Sequence, residues 1–263
     1  MDENKNEFVQ NSQVAIKGTV NGIVGSMLYE VILTLFFSIL ITIIIGIKNP
    51  GVSSDELNII SNKFFDSFPI SIIATCLASL CTLVVFVYLI GWNKIKKICK
   101  KAFTLKTLKY GINCALVIML FSVIYNSSIM NVFNLGDTGN ANQSNVIELI
   151  KENLFLGFLS VVVFAPIVEE LTYRYCLFGG VRIKKRFLAY LVSGLVFMFM
   201  HALASFLTYG FSKDLLVEMI YLPPYLFSGL VLCYVYEKSN NLGSSFIAHL
   251  LNNLISFLAI VML

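Results

Sequence analysis

Charge is scarce in this chain: only 13% of its 263 residues are Asp, Glu, Lys or Arg, against roughly a quarter in soluble domains. Histidine is scarcer, with two copies. Hydrophobic residues make up 57% and mean hydropathy is +0.82. A soluble interior is too small to hide that much apolar surface, so a water-soluble enzyme is excluded and the bilayer is the solvent. The first 25 residues lack an early apolar core and mix Asp2, Glu3, Lys5, Glu7 and Lys17, so no cleavable leader is expected and the first span serves as the insertion signal. The cysteines (Cys76, Cys81, Cys99, Cys114, Cys176 and Cys233) form no Cys-x-x-Cys pair and no external cluster. That excludes a disulfide framework or a cysteine-type zinc site and leaves them as small apolar fillers. Neither H-E-x-x-H nor G-x-S-x-G occurs, nor a phosphate-cradling or dinucleotide glycine loop, and no aspartate pair falls inside an apolar stretch.

What is present is a series of apolar stretches long enough to cross a membrane, about 20 residues each. They run roughly over 27–47, 68–92, 110–133, 154–178, 187–208, 215–236 and 243–263. The chain therefore reads as one all-α polytopic membrane bundle over 1–263, with about seven spans, or eight if the N-terminal segment hides another. Residues 1–26 read as a cytoplasmic or interfacial segment, with extension of the first span as the other reading. Residues 134–147, rich in Asn, Gly and Ser, read as an external loop. Lys94, Lys96, Lys97, Lys100, Lys101, Lys106 and Lys109 crowd one connection, and Arg182, Lys184, Lys185 and Arg186 another. Flanked by apolar spans, these are topogenic signals rather than a nucleic-acid surface, and both connections are assigned to the cytoplasm. The alternate connections, with Asp55, Glu56, Asp66, Asp137, Glu148 and Glu152, are then external.

Ionisable groups at membrane depth are costly and mark functional sites by default. Glu170 and Arg174 are spaced i, i+4, so acid and base meet on one helix face. Glu169 has no basic residue one turn away, which divides the two carboxylates between a clamped Glu170 and a working Glu169. Pro166 cannot donate to the carbonyl of Val162 and bends the helix beside them. Phe197 and His201 share a face of the fifth span, where the phenyl ring reads as packing. His249 and Asn253 share a face of the seventh, and Asn252 reads as packing or interfacial. Counted from the cytosolic helix ends, Glu169 lies about 10 residues in, His201 about 14 and His249 about 6, so at 1.5 Å per residue the three reach roughly 9–21 Å deep, in the cytosolic half.

A carboxylate beside an imidazole acts as general base on water, and a His–Asn pair stabilises an oxyanion, which is equipment for amide hydrolysis. A divalent metal such as zinc, held by Glu169, His201 and His249, is the other use of these residues. Structural polar contacts between helices would employ the same side chains, as would a non-catalytic immunity or scaffold protein or a proton-coupled transporter. Pro223-Pro224 breaks the sixth span, either as a static kink or as a lateral entry for substrate.

In order, Glu169-Glu170-x-x-x-Arg174, Phe197-x-x-x-His201 and His249-x-x-x-Asn253 closely resemble the motifs of the CAAX protease and bacteriocin-processing family, also called Abi or type II CAAX prenyl endopeptidases. The resemblance covers roughly residues 150–260. It implies an intramembrane protease with Glu169 and His201 activating water, His249 and Asn253 completing the site around the oxyanion, and Glu170 and Arg174 in support. Its family members have been described both as metalloproteases and as metal-free glutamate enzymes. Eukaryotic members trim prenylated C-terminal tripeptides, and bacterial members are linked to peptide processing or self-immunity against bacteriocins. The implied partners are a peptide or protein substrate and the lipid bilayer, with no nucleic acid.

Overall fold

The structure, a computed structural model, describes residues 12–27, 32–53, 55–57, 59–60, 70–133 and 141–262. Its elements are α1 (Ser12–Met27), α2 (Leu33–Lys48), α3 (Ile70–Ile90), α4 (Trp92–Ala102), α5 (Leu105–Phe133), α6 (Ala141–Glu152), α7 (Leu154–Arg182), α8 (Arg186–Tyr209), α9 (Lys213–Met219), α10 (Pro223–Ser239) and α11 (Leu242–Met262). No strand occurs among the described residues. This is the expected all-α polytopic bundle. Six helical segments among the described residues are long and apolar enough to cross a membrane: Ser71–Ile90, Leu105–Ile129, Leu154–Arg182, Arg186–Leu203, Leu215–Ser239 and Leu242–Met262. The first apolar stretch appears as the 16-residue α2.

Local signals place the breaks. Gly91, at φ +94°, turns the chain out of α3 so that α4 can lie across the lysine-rich end. Thr104 and Thr107 cap one another at the start of α5: the Thr107 N–H donates to the Thr104 hydroxyl at 3.1 Å, and the Thr104 N–H to the Thr107 hydroxyl at 2.8 Å. Four orphan N–H groups open every helix, and this reciprocal arrangement satisfies two of them. Pro223 and Pro224 occupy the first turn of α10, where a missing N–H costs nothing, and the chain unwinds at 220–222 just before them.

Within 1–26, the described helix α1 packs against α7. Gly22 lets it approach α7 so closely that a Cβ there would lie 2.8 Å from the Leu177 nitrogen, the small-residue packing that membrane helices use in place of a hydrophobic drive. The external loop is shorter than expected: 141–147 belong to α6, and 134–140 lie outside the described residues. Carboxylates pin α6 at both ends. Glu218 accepts from the Ala141 N–H (2.8 Å) and the Ser205 hydroxyl (2.7 Å), and Glu152 accepts from the Ile72 N–H (3.0 Å).

At the lysine-rich end the α10–α11 turn is locked to α4. Asn240 takes the left-handed conformation, Asn241 donates to the Lys101 carbonyl at 2.8 Å, and Gly243 sits directly on Ala102. A side chain at Gly243 would collide with the Ala102 backbone, which cannot move as a flexible side-chain tip can. Gly243→Val is therefore expected to lower the melting temperature of the detergent-solubilised protein, with a cost at or above the roughly 1–3 kcal/mol typical of overpacking. An unchanged melt would show that α4 is not locked there.

Candidate active site

The site is built on α7, whose hydrogen-bond ladder is irregular. Short α-helical pieces alternate with π-helical turns over Phe158–Phe164 and Glu170–Phe178. In the first of these the Ala165 N–H reaches back five residues to the Ser160 carbonyl. Continuing that register, residue 166 would donate to Val161. Pro166 has no N–H, and the side chain of Asn253 on α11 supplies the missing donor, Nδ2 to the Val161 carbonyl at 2.9 Å. The carbonyl orphaned by the proline is thus that of Val161, where an α-helical ladder would have made it Val162. Single π turns inside α-helices recur at functional sites, and this one sets the height of Glu169 relative to α11.

Glu170, Arg174 and His249 form a buried charged group. Arg174 Nη1 lies 3.0 Å from Glu170 Oε1, with both side chains at most 1% exposed. His249 Nδ1 donates to the same Glu170 oxygen at 2.8 Å. Its other nitrogen, Nε2, then faces Glu169 Oε2 at 3.8 Å, too long for a direct hydrogen bond. His201 is held from its own helix. Its Nδ1 lies 2.8 Å from the Phe197 carbonyl, which can only accept, so Nδ1 carries the proton and Nε2 is left as an acceptor.

Phe197 is more than packing. Its ring centroid is 4.4 Å from that of His201 and 5.9 Å from that of His249, and the Arg174 guanidinium carbon stands 4.4 Å above it. One aromatic face thereby separates the two imidazoles and offsets part of the cost of burying Arg174. Tyr225 also lies against His201, with ring centroids 4.6 Å apart. Nothing in the spacing pointed to Tyr225, which approaches from α10 after the proline break.

Two adjoining hollows open around these groups. The first, about 410 Å³, is walled in part by His201, His249 and Asn253, and the second, about 270 Å³, by Glu169, His201 and Asn253. His201, Tyr225, Asn252 and Asn253 line both. Asn252, expected to pack elsewhere, therefore belongs to the site, and its Nδ2 donates to Asn253 Oδ1 at 3.3 Å. Asn253 spends one of its two N–H groups on Val161, leaving the other beside the hollows. Among the described residues no three His, Cys, Asp or Glu side chains gather closely enough to hold a metal ion.

The walls of the larger hollow continue towards Gln143 on α6 and Tyr221 in the 220–222 turn, away from the lysine-rich end.

The Asn253–Val161 contact predicts a specific coupling. Asn253→Ala leaves a half-buried carbonyl unsatisfied, at a cost towards the lower end of the roughly 1–3 kcal/mol seen for buried groups. In a Pro166→Ala background the new backbone N–H fills that gap, so the same substitution should cost much less. Thermal melts of the four proteins in detergent give the double-mutant cycle, and strictly additive shifts would refute the repair.

Residues 151–255 match the family described as type II CAAX prenyl endopeptidase Rce1-like. The chain is also 32% identical over 127 residues to UPF0177 protein YxdF of Lactococcus lactis subsp. lactis (strain IL1403), covering 48% of this chain and 60% of that protein. No solved structure matches the chain. The resemblance read from the three motifs is borne out over residues 151–255.

Proposed function

We propose that this chain, Rce1-like across the segment that carries Glu169, His201, His249 and Asn253, is a multi-pass membrane endopeptidase that hydrolyses a peptide bond of a membrane-associated peptide or protein. The observation that carries the reading is the gathering of these four side chains, from three separate spans, around two joined hollows inside the bundle. Polar groups that served only to tie helices together would have no reason to share a void.

In this reading water sits between Glu169 and the bare Nε2 of His201. Glu169 takes a proton as the water oxygen attacks the substrate carbonyl carbon. The oxyanion is met by the remaining N–H of Asn253 and by Nε2 of His249 when that nitrogen is protonated. Collapse breaks the C–N bond, and the proton held at the site passes to the departing amine. Glu170 and Arg174 do not touch the reacting atoms: they hold His249 through its Nδ1. The break before Pro223 places Tyr221, Pro224 and Tyr225 in the hollow walls, so the proline pair serves substrate access.

Mass spectrometry of membrane peptides from cells carrying the wild-type chain or Glu169→Gln tests the proposal. Truncated peptides should be present in the first and absent in the second. Identical peptide sets would leave a binding or scaffold role.

A further inference from the structure

The larger hollow has a direction and a chemistry. Towards the lysine-rich end it is closed by a packed layer in which Tyr173, Phe178, Ala189, Cys233 and Val235 are at most 1% exposed, with Arg174 fully buried beneath it. Towards the other end the walls pass from His249 to Ser256 on α11, about 10 Å at 1.5 Å per residue, and reach exposed Asn126 near the far end of α5 and exposed Gln143 on α6. The mouth is therefore framed by α6 and the 220–222 turn. Basic residues crowd the closed end: α4, the start of α5 and the α7–α8 connection carry Lys94, Lys97, Lys101, Lys106, Arg182 and Arg186. The open end is mixed in charge, with Glu148, Lys151, Glu152 and Glu218. Lys/Arg-rich connections stay in the cytoplasm, so the mouth faces the opposite compartment.

The described residues of the wall include no Asp, Glu, Lys or Arg. Beyond the two histidines the polar groups are hydroxyls and amides, among them Ser122, Asn126, Ser228, Asn252 and Ser256, interleaved with Ile118, Ile147 and Leu232. A hydrocarbon chain would strip these groups of water and return nothing, and a charged side chain would enter without a counter-ion. An extended peptide fits both conditions, since its backbone N–H and C=O groups need partners at membrane depth.

We propose that the hollow takes an extended, uncharged peptide segment delivered from the face opposite the lysine-rich one, so that the substrate is an exported or outward-facing chain and not a cytosolic tail. This rests on the endopeptidase reading for what happens to the peptide, but the side and charge preference of the hollow are measurable without turnover.

Cysteine labelling supplies the test. Cys99 is exposed on α4 and marks the lysine-rich face. Ser122→Cys and Gln143→Cys, each made in a Cys99→Ser chain, report the interior and the rim. A membrane-impermeant maleimide applied to intact cells should modify Ser122→Cys and Gln143→Cys and leave Cys99 of the unsubstituted chain unreacted, with Cys99 reacting only in inside-out vesicles. Labelling of Ser122→Cys only in inside-out vesicles, or of Cys99 in intact cells, would overturn the sidedness. A neutral methanethiosulfonate should modify Ser122→Cys at least tenfold faster, relative to Gln143→Cys, than cationic or anionic reagents of similar size. Equal ratios would overturn the preference for uncharged segments. The same pattern in the Glu169→Gln protein would keep the side and chemistry of the hollow even if that protein still cleaved, which separates failure of this inference from failure of the protease reading.

Discussion

Glu169→Gln is expected to slow cleavage by about 10²–10⁴-fold, the usual range for loss of a general base, while the protein melts as the wild type does. The amide keeps the size of the carboxylate and much of its hydrogen bonding, but it cannot accept the proton that attack releases. The neighbouring substitution has a different signature. Glu170 lies 3.0 Å from Arg174 and 2.8 Å from His249, so Glu170→Gln removes the anion that both side chains face. It should lower the melting temperature first and activity as a consequence. Rates of appearance of a truncated peptide, set beside melts of the same preparations, separate the two. If both glutamine variants lose stability and rate in parallel, the division of labour between the adjacent carboxylates is wrong.

The Glu170–Arg174 pair was legible in the chain because it depends on spacing along one helix: an acid and a base four apart meet. The spans were legible for a similar reason, since length and apolarity are local properties. What escaped was set by distant partners. The π register of α7 depends on a donor from Asn253, 92 residues beyond the carbonyl it serves, so helical periodicity with 3.6 residues per turn placed the proline gap one residue late. Asn252 looked peripheral for the same reason, its partner being a residue already committed across the bundle. The packing of α1 against α7 depends on the absence of a side chain at Gly22, which no hydrophobicity scale records. The direction of the hollow could not be counted along any one helix. It is set by α6 and the 220–222 turn, which continue the walls.

Arg174 carries the largest expected stability effect. With its partner Glu170 it is at most 1% exposed, and removing one member of a buried ion pair typically costs about 3–5 kcal/mol because the other charge stays behind without compensation. Arg174→Met should behave in this way. Methionine preserves the packing against Phe197, since a thioether also sits well beside an aromatic ring, so the change isolates the charge. Making the partner neutral should then restore much of the loss: in Glu170→Gln/Arg174→Met the amide oxygen still accepts from His249 Nδ1 and no unpaired anion remains. The double variant should therefore melt well above Arg174→Met alone in the same detergent. If Arg174→Met melts like the wild type, Glu170 has other compensation and the ion pair is not what holds His249 beside Glu169.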